Sequence, residues 1–338
     1  MEFLLKKFFW ITALLFCLTS CSDTNKPQVA FYYWKTSFYL SQTEKQILKA
    51  NEVQKIYIRY FDVDLHPITE EAYPRTPIYF VQKPTVKTIV PVVYLKNKVL
   101  LSAKVSVPDL VEKVLKMIQE MNTANQLSCE EIQIDCDWTI QSRDKFMAFI
   151  EAIKQKSKKK ISGTIRLHQI KYAEQTKVPP VNSAVLMYYN MGTIAVQSLN
   201  SIYDRSIAQK YLKSVANYPL PLKVALPIYA WGIHIRENRI LGLRSKLTIE
   251  DLQLDHHFSM ISDTQFEVNE SNFRTGVFYR KGDVVKIEAI TTRDLKEMAD
   301  DLSDNLSDTP EEIIFYDLDE ANFKNYETTV YKEISNRF

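Results

Sequence analysis

The feature that most constrains this chain is a recurring alternation of short apolar runs with amphipathic segments. Gln28–Trp34, Lys55–Phe61, Val86–Tyr94, Glu131–Trp138, Ile161–Leu167, Ala184–Tyr189 and Lys223–Tyr229 each read as a strand. Helix signals fall between them. Ser41 and Glu44 form a Ser-x-x-Glu capping box for a helix to about Asn51. Ser106 precedes a long amphipathic helix through Met121, with Pro108 early, where a missing N–H costs little. Ser142 is placed to cap a third helix, Arg143 to about Gln155. Strands spaced by helices imply βα units and a parallel sheet. About eight such units close an α/β (β/α)8 TIM barrel, which is the expected fold. An open doubly wound sheet is the alternative, but its glycine-rich first turn is absent. Glycine is scarce, at 6 residues in 338. No Gly-x-Gly-x-x-Gly or Walker loop occurs, so no nucleotide partner is expected.

After Tyr229 the rhythm breaks. Phe273–Tyr279 and Val284–Ile290 flank Arg280-Lys281-Gly282-Asp283 and read as a β-hairpin. A helix over Thr292–Leu302, a strand over Glu312–Tyr316 and a closing helix over Ala321–Arg337 come next. The eighth unit therefore arrives behind an inserted α+β element, 238–305, too long for a plain loop.

Within the barrel, Glu130–Thr139 stands out. Ile132, Ile134, Cys136 and Trp138 share one face of this strand, and Gln133, Asp135, Asp137 and Thr139 share the other. Buried carboxylates are costly unless paired. The C-terminal ends of barrel strands carry active sites, so Asp135 and Asp137 are expected at the floor of one. On strand five Arg166 and His168 alternate with Ile165 and Leu167; if the apolar pair faces the helices, both polar side chains point inward, either into a site or into a salt-bridge network that only stabilises the barrel. An arginine there is expected to lower the pKa of carboxylates beside it. Trp34, Trp138, Tyr229 and Trp231 fall near strand ends and are candidates for stacking on sugar rings, with core packing the alternative. His256 and His257 beside Asp255 look metal-like, but adjacent strand residues point apart and no third ligand is evident. No metal or organic cofactor is expected. With 43 basic and 41 acidic residues there is no field of one sign to hold nucleic acid.

At the amino terminus, Lys6 and Lys7 precede an apolar run from Phe8 to Leu18 and then Leu18-Thr19-Ser20-Cys21. This is the order of an export signal. The ending resembles the lipobox of bacterial lipoproteins, which implies that residues 1–21 are a signal, that Cys21 becomes the acylated membrane anchor and that 22–27 form a tether. Residues 28–338 are the barrel. The expected location is the bacterial cell envelope, on its periplasmic or surface face. Cys17 leaves with the signal, so Cys129 and Cys136 remain, and both are expected as buried free thiols.

Several stretches together resemble the glycoside hydrolase family 18 barrels, chitinases and their lectin-like relatives, and an uncharacterised set of bacterial lipoproteins with the same pattern. The family's Asp-x-Asp-x-Glu is matched by Asp135-Cys136-Asp137-Trp138-Thr139. Its Met-x-Tyr-Asp is matched by Met187-Tyr188-Tyr189-Asn190, and its Gly-Leu-Pro-x-Tyr-Gly by Ala225-Leu226-Pro227-Ile228-Tyr229-Ala230. Tyr316 and Asp319 stand for the aromatic residue and aspartate of its eighth strand. The resemblance implies a glycan or glycopeptide ligand, with Asp137 and Tyr189 placed to orient an acetamido group. The family's proton donor is the glutamate at the position of Thr139. A threonine hydroxyl is far too weak an acid for that work. Three readings remain. The first is a lipid-anchored barrel that binds glycan without efficient hydrolysis. The second is an active glycosidase drawing its acid from Asp62, Asp64, Glu237, Asp317 or Asp319. The third is a structural or assembly lipoprotein.

Overall fold

The computed structural model describes residues 26–197 and 199–338. The expected signal, Cys21 and most of the tether lie outside the described residues. Eight parallel strands close on themselves in chain order: Gln28–Tyr33, Lys55–Leu65, Thr88–Leu95, Glu131–Asp135, Lys160–Arg166, Ser183–Met187, Leu222–Pro227 and Glu312–Tyr316. Phe31 on the first strand pairs with Ile56 on one side and Phe315 on the other, which closes the ring. With helices between the strands this is a (β/α)8 TIM barrel. Among the described residues no helix is long and apolar enough to cross a membrane.

The helices form where the sequence signals them. Ser41 and Glu44 make the reciprocal capping box of Gln42–Ala50. Val107–Asn125 buries Leu110, Val111, Val114, Ile118 and Met121, the stripe that 3.6 residues per turn places on one face. Burial of such a side chain contributes about 1.5–3 kcal/mol. Ser142 departs from expectation. Its hydroxyl makes no cap bond; it accepts from Thr139 N at 2.9 Å and donates to Asn97 Oδ1 at 2.5 Å.

The barrel interior is polar in layers. Tyr32 Oη crosses from the first strand to donate to Gln133 Oε1 on the fourth at 2.7 Å. Nearer the N-terminal ends, buried Glu312 pairs with Lys55 and with Lys223 at 3.2 Å, and accepts from Tyr57 Oη at 2.6 Å. Burial pushes the Glu312 carboxyl up, but the two lysines and the tyrosine outweigh it and hold it low.

Several boundaries move. The second strand runs on to Leu65 by pairing with Ala72–Arg75. A register shift between Arg59 and Phe61 breaks the alternation there, so Arg59 binds Asp62 at 2.8 Å. The closing helix shrinks to Val330–Ser335 behind a 3₁₀ turn, Glu320–Asn322. Asp319 caps that turn, and Asn325, Thr328 and Thr329 between the two are poor helix formers.

The hairpin expectation is also corrected. Val277–Tyr279 pairs with Asn272–Arg274 across Thr275 and Gly276, both at positive φ, the signature of a type I′ turn. Val284–Ala289 instead lies between Ala230–Arg236 and Gln265–Val268 in a five-stranded sheet that also holds Arg239–Ser245 and Phe258–Ser262. This sheet has its own small core, including Leu252, Phe266, Tyr279 and Val285. Helix Thr292–Ser303 packs against the neighbouring helices Arg205–Val215 and Val330–Ser335 in the outer layer. Cys129 and Cys136 are buried free thiols.

Candidate functional site

A cavity of about 480 Å³ opens at the C-terminal ends of the strands. Its floor is ionic. Asp135 ends the fourth strand and is buried, accepting from Thr164 Oγ1 at 2.6 Å. Burial raises its pKa to about 6, against the pull of Thr164 and of Arg166, so the expected lowering does not occur there. Asp137 lies two residues past the strand. Arg166, at the end of strand five, grips both its oxygens, with Nε at 2.6 Å and a terminal nitrogen at 3.0 Å. Parity put Arg166 inward, and the structure agrees.

The walls are aromatic. Tyr189 stacks on Tyr316 with centroids 5.6 Å apart and meets Tyr229 edge-on. Trp34 packs against Tyr316, and Trp231 against Tyr229. Tyr229 Oη donates to Asn190 Oδ1 at 2.5 Å. Tyr189 Oη is buried without a hydrogen-bond partner. Asp317 lines the far side, accepting from Asn322 Nδ2 at 2.6 Å. Burial and the nearby Asp319 raise its pKa to about 6. Asp319 itself is held low by Lys246 and Lys35.

The cavity thus gathers Asp135, Asp137, Arg166, Tyr189, Asn190, Tyr229, Trp231 and Trp34. It leaves out Trp138, Thr139 and His168. Trp138 is 1% exposed, stacked on Phe146 at 4.5 Å, and donates to Thr176 O at 3.0 Å. It is core, on the helix-facing side that its strand parity indicates. Thr139 lies beside Asn97 and Ser142, because the ladder ends at Asp135 and alternation does not govern the residues beyond it. His168 is exposed, because a short helix begins at Leu167 and the period changes from 2 to 3.6.

Among the other acids, Asp64 is buried and held by Lys96, Lys98 and Arg75. Asp62 is paired with Arg59, and Glu237 is an exposed partner of Arg280. Asp255, His256 and His257 occupy a turn rather than a strand, which brings their donor atoms within 4.8 Å of one another. Asp255 there is already bonded by His257 and by Arg274 at 2.6 Å, and a guanidinium beside a site disfavours a cation. Tyr94, Thr164, Lys246 and Asn322 were not anticipated. The first two were legible: Tyr94 is near a strand end, and Thr164 shares a face with Arg166.

No family model matches the sequence, and no curated protein matches it. Solved structures do. A chitinase from Chromobacterium violaceum superposes with TM-score 0.55 at 9% identity, over 92% of this chain and 98% of that one. A chitinase-like agglutinin from Robinia pseudoacacia superposes with TM-score 0.51 at 10% identity, over 91% and 98%. The chain has the (β/α)8 fold of these two proteins. At this identity the likeness is one of fold alone, and that fold serves a chitinase in one case and an agglutinin in the other.

Proposed function

We propose that the protein is a lipid-anchored, chitinase-like barrel that binds a glycan at its mouth without efficient hydrolysis. The observation that carries the binding is the cavity itself: rings of Trp34, Tyr229 and Trp231 around a fixed ion pair, Arg166 with Asp137. Aromatic faces stack on the C–H faces of pyranoses, and charged groups at the floor bind hydroxyl and amide groups. Weak hydrolysis follows from Thr139, which is no acid and lines no part of the cavity. Anchoring rests on Cys21 and its lipobox-like setting, and the envelope location rests on the same residues.

A specific observation favours a second reading. Asp135 and Asp317 each have a pKa near 6 and line the cavity. A carboxyl group poised near the working pH is what a general acid requires. In that reading one of them protonates a leaving oxygen.

The deciding experiment uses the soluble form from Ser22 onward on a glycan array, followed by titration and product analysis with the glycans that bind. Binding lost in Asp137→Ala, with no product released, supports the first reading. Product formation that disappears in Asp135→Asn or Asp317→Asn moves the second ahead. No binding by any form overturns both. For the anchor, the full chain and its Cys21→Ser variant expressed in a bacterium are compared for detergent-phase partitioning; equal partitioning removes the anchor.

A further inference from the structure

No motif points to Glu288, yet it bonds to Trp231 in the cavity wall and to Ser201 beside the Asn190 loop. It lies on Val284–Ala289 in the inserted sheet and is 1% exposed. Its Oε2 accepts from Trp231 Nε1 at 3.0 Å, from Ser201 N at 3.1 Å and from the Ser201 hydroxyl. Its Oε1 accepts from Lys286 Nζ at 2.8 Å. Burial pushes its carboxyl up, but these donors outweigh burial and hold it low, so it is ionised. Bonds to an ionised acceptor are the strong and directional ones.

Two of those donors lead to the cavity. Trp231 is part of its aromatic wall. Ser201 closes the loop that starts at Asn190. The limbs of that loop run close together: Asn190 N donates to Ile202 O at 2.8 Å, and Gly192 N donates to Ser201 O at 3.1 Å. A Cβ on Gly192 would sit 2.9 Å from Ser201 Cα, so only glycine fits. Asn190 in turn accepts from Tyr229. Asn200 adds a bond from its side-chain amide to Ala289 O at 2.8 Å, which ties the same loop to the same inserted strand.

We propose that Glu288 is a positioning residue that fixes the plane of the Trp231 indole and, through Ser201, the Asn190 loop, so that stacking face and polar groups meet one sugar in register. This rests on the glycan reading of the cavity.

The test uses the soluble chain labelled with 5-fluorotryptophan, whose ¹⁹F signals report each indole separately. Variants are Glu288→Ala, Glu288→Gln and Trp231→Phe, the last assigning the Trp231 signal by its loss. Glu288→Ala is expected to shift and narrow the Trp231 resonance and leave those of Trp34 and Trp138 in place. It is expected to weaken binding of chitotetraose by about tenfold. Glu288→Gln, which keeps an acceptor oxygen for Trp231, is expected to restore most of both. Added to Trp231→Phe, Glu288→Ala is expected to cost clearly less than it does alone. An unmoved Trp231 signal, or an equal loss of affinity in both backgrounds, overturns the proposal. If the unaltered protein binds no glycan, the function reading falls, while the ¹⁹F comparison still decides the positioning. If Glu288→Ala does not fold, Ser201→Ala removes one donor to the same oxygen, and an unmoved Trp231 signal there counts against the proposal in the same way.

Discussion

Arg166, at the end of the fifth barrel strand, holds both carboxylate oxygens of Asp137, just past the end of the fourth. The pair faces the cavity, and the Asp137 side chain is 47% exposed. An exposed ion pair contributes roughly 0–1 kcal/mol to stability. Arg166→Ala should therefore leave the melting temperature nearly unchanged. Glycan affinity should fall by about 10- to 100-fold, the range for losing a charged hydrogen bond to a ligand or its partner. Calorimetric titration beside a thermal melt checks both; a large drop in melting temperature with intact affinity would make the pair structural.

Asp135 gives a pH signature. Its folded pKa of about 6 lies above the unfolded value near 3.9. Between those values the folded state binds more protons than the unfolded one. Stability from this group therefore falls as pH rises from about 4 to 6 and stays low above that. Asp135→Asn removes the titration. The melting temperature of Asp135→Asn relative to the unaltered protein should rise between about pH 4.5 and about pH 7. A flat difference would show that Asp135 titrates at an ordinary value.

At the other end of the barrel, Glu312 is the shared partner of Lys55, Lys223 and Tyr57. Glu312→Ala leaves Lys223 buried, with Glu131 at 3.5 Å its nearest remaining carboxylate. Breaking such a cluster costs about 3–5 kcal/mol. Urea denaturation should show the loss as a lower midpoint with an unchanged slope.

Trp138 separates core from site. Trp138→Phe removes the bond to Thr176 O and part of the stack on Phe146. It should cost about 1–3 kcal/mol of stability and leave glycan affinity unchanged. A selective loss of affinity in folded protein would return Trp138 to the binding residues.

Much of the barrel was legible locally. The capping box at Ser41 and Glu44, the helix stripe through Leu110 to Met121 and the alternation of Glu131 to Asp135 are all short-range patterns. Each follows from the geometry of one helix or one strand, and so does the inward placement of Arg166 and Asp135. The sequence by itself determined the (β/α)8 order and a floor of charged residues at the strand ends.

Only the tertiary structure decided where those patterns stop and what lies across from them. Alternation holds only while the ladder lasts. Thr139 left the cavity because the fourth strand ends at Asp135, and His168 left because a helix begins at Leu167. The type I′ turn at Thr275 and Gly276 took Val284–Ala289 out of the expected hairpin and placed it beside Ala230–Arg236. That pairing brings Glu288 to Trp231, 57 residues away. Contacts of that range are set by the closure of whole elements, and no local spacing in the chain encodes them.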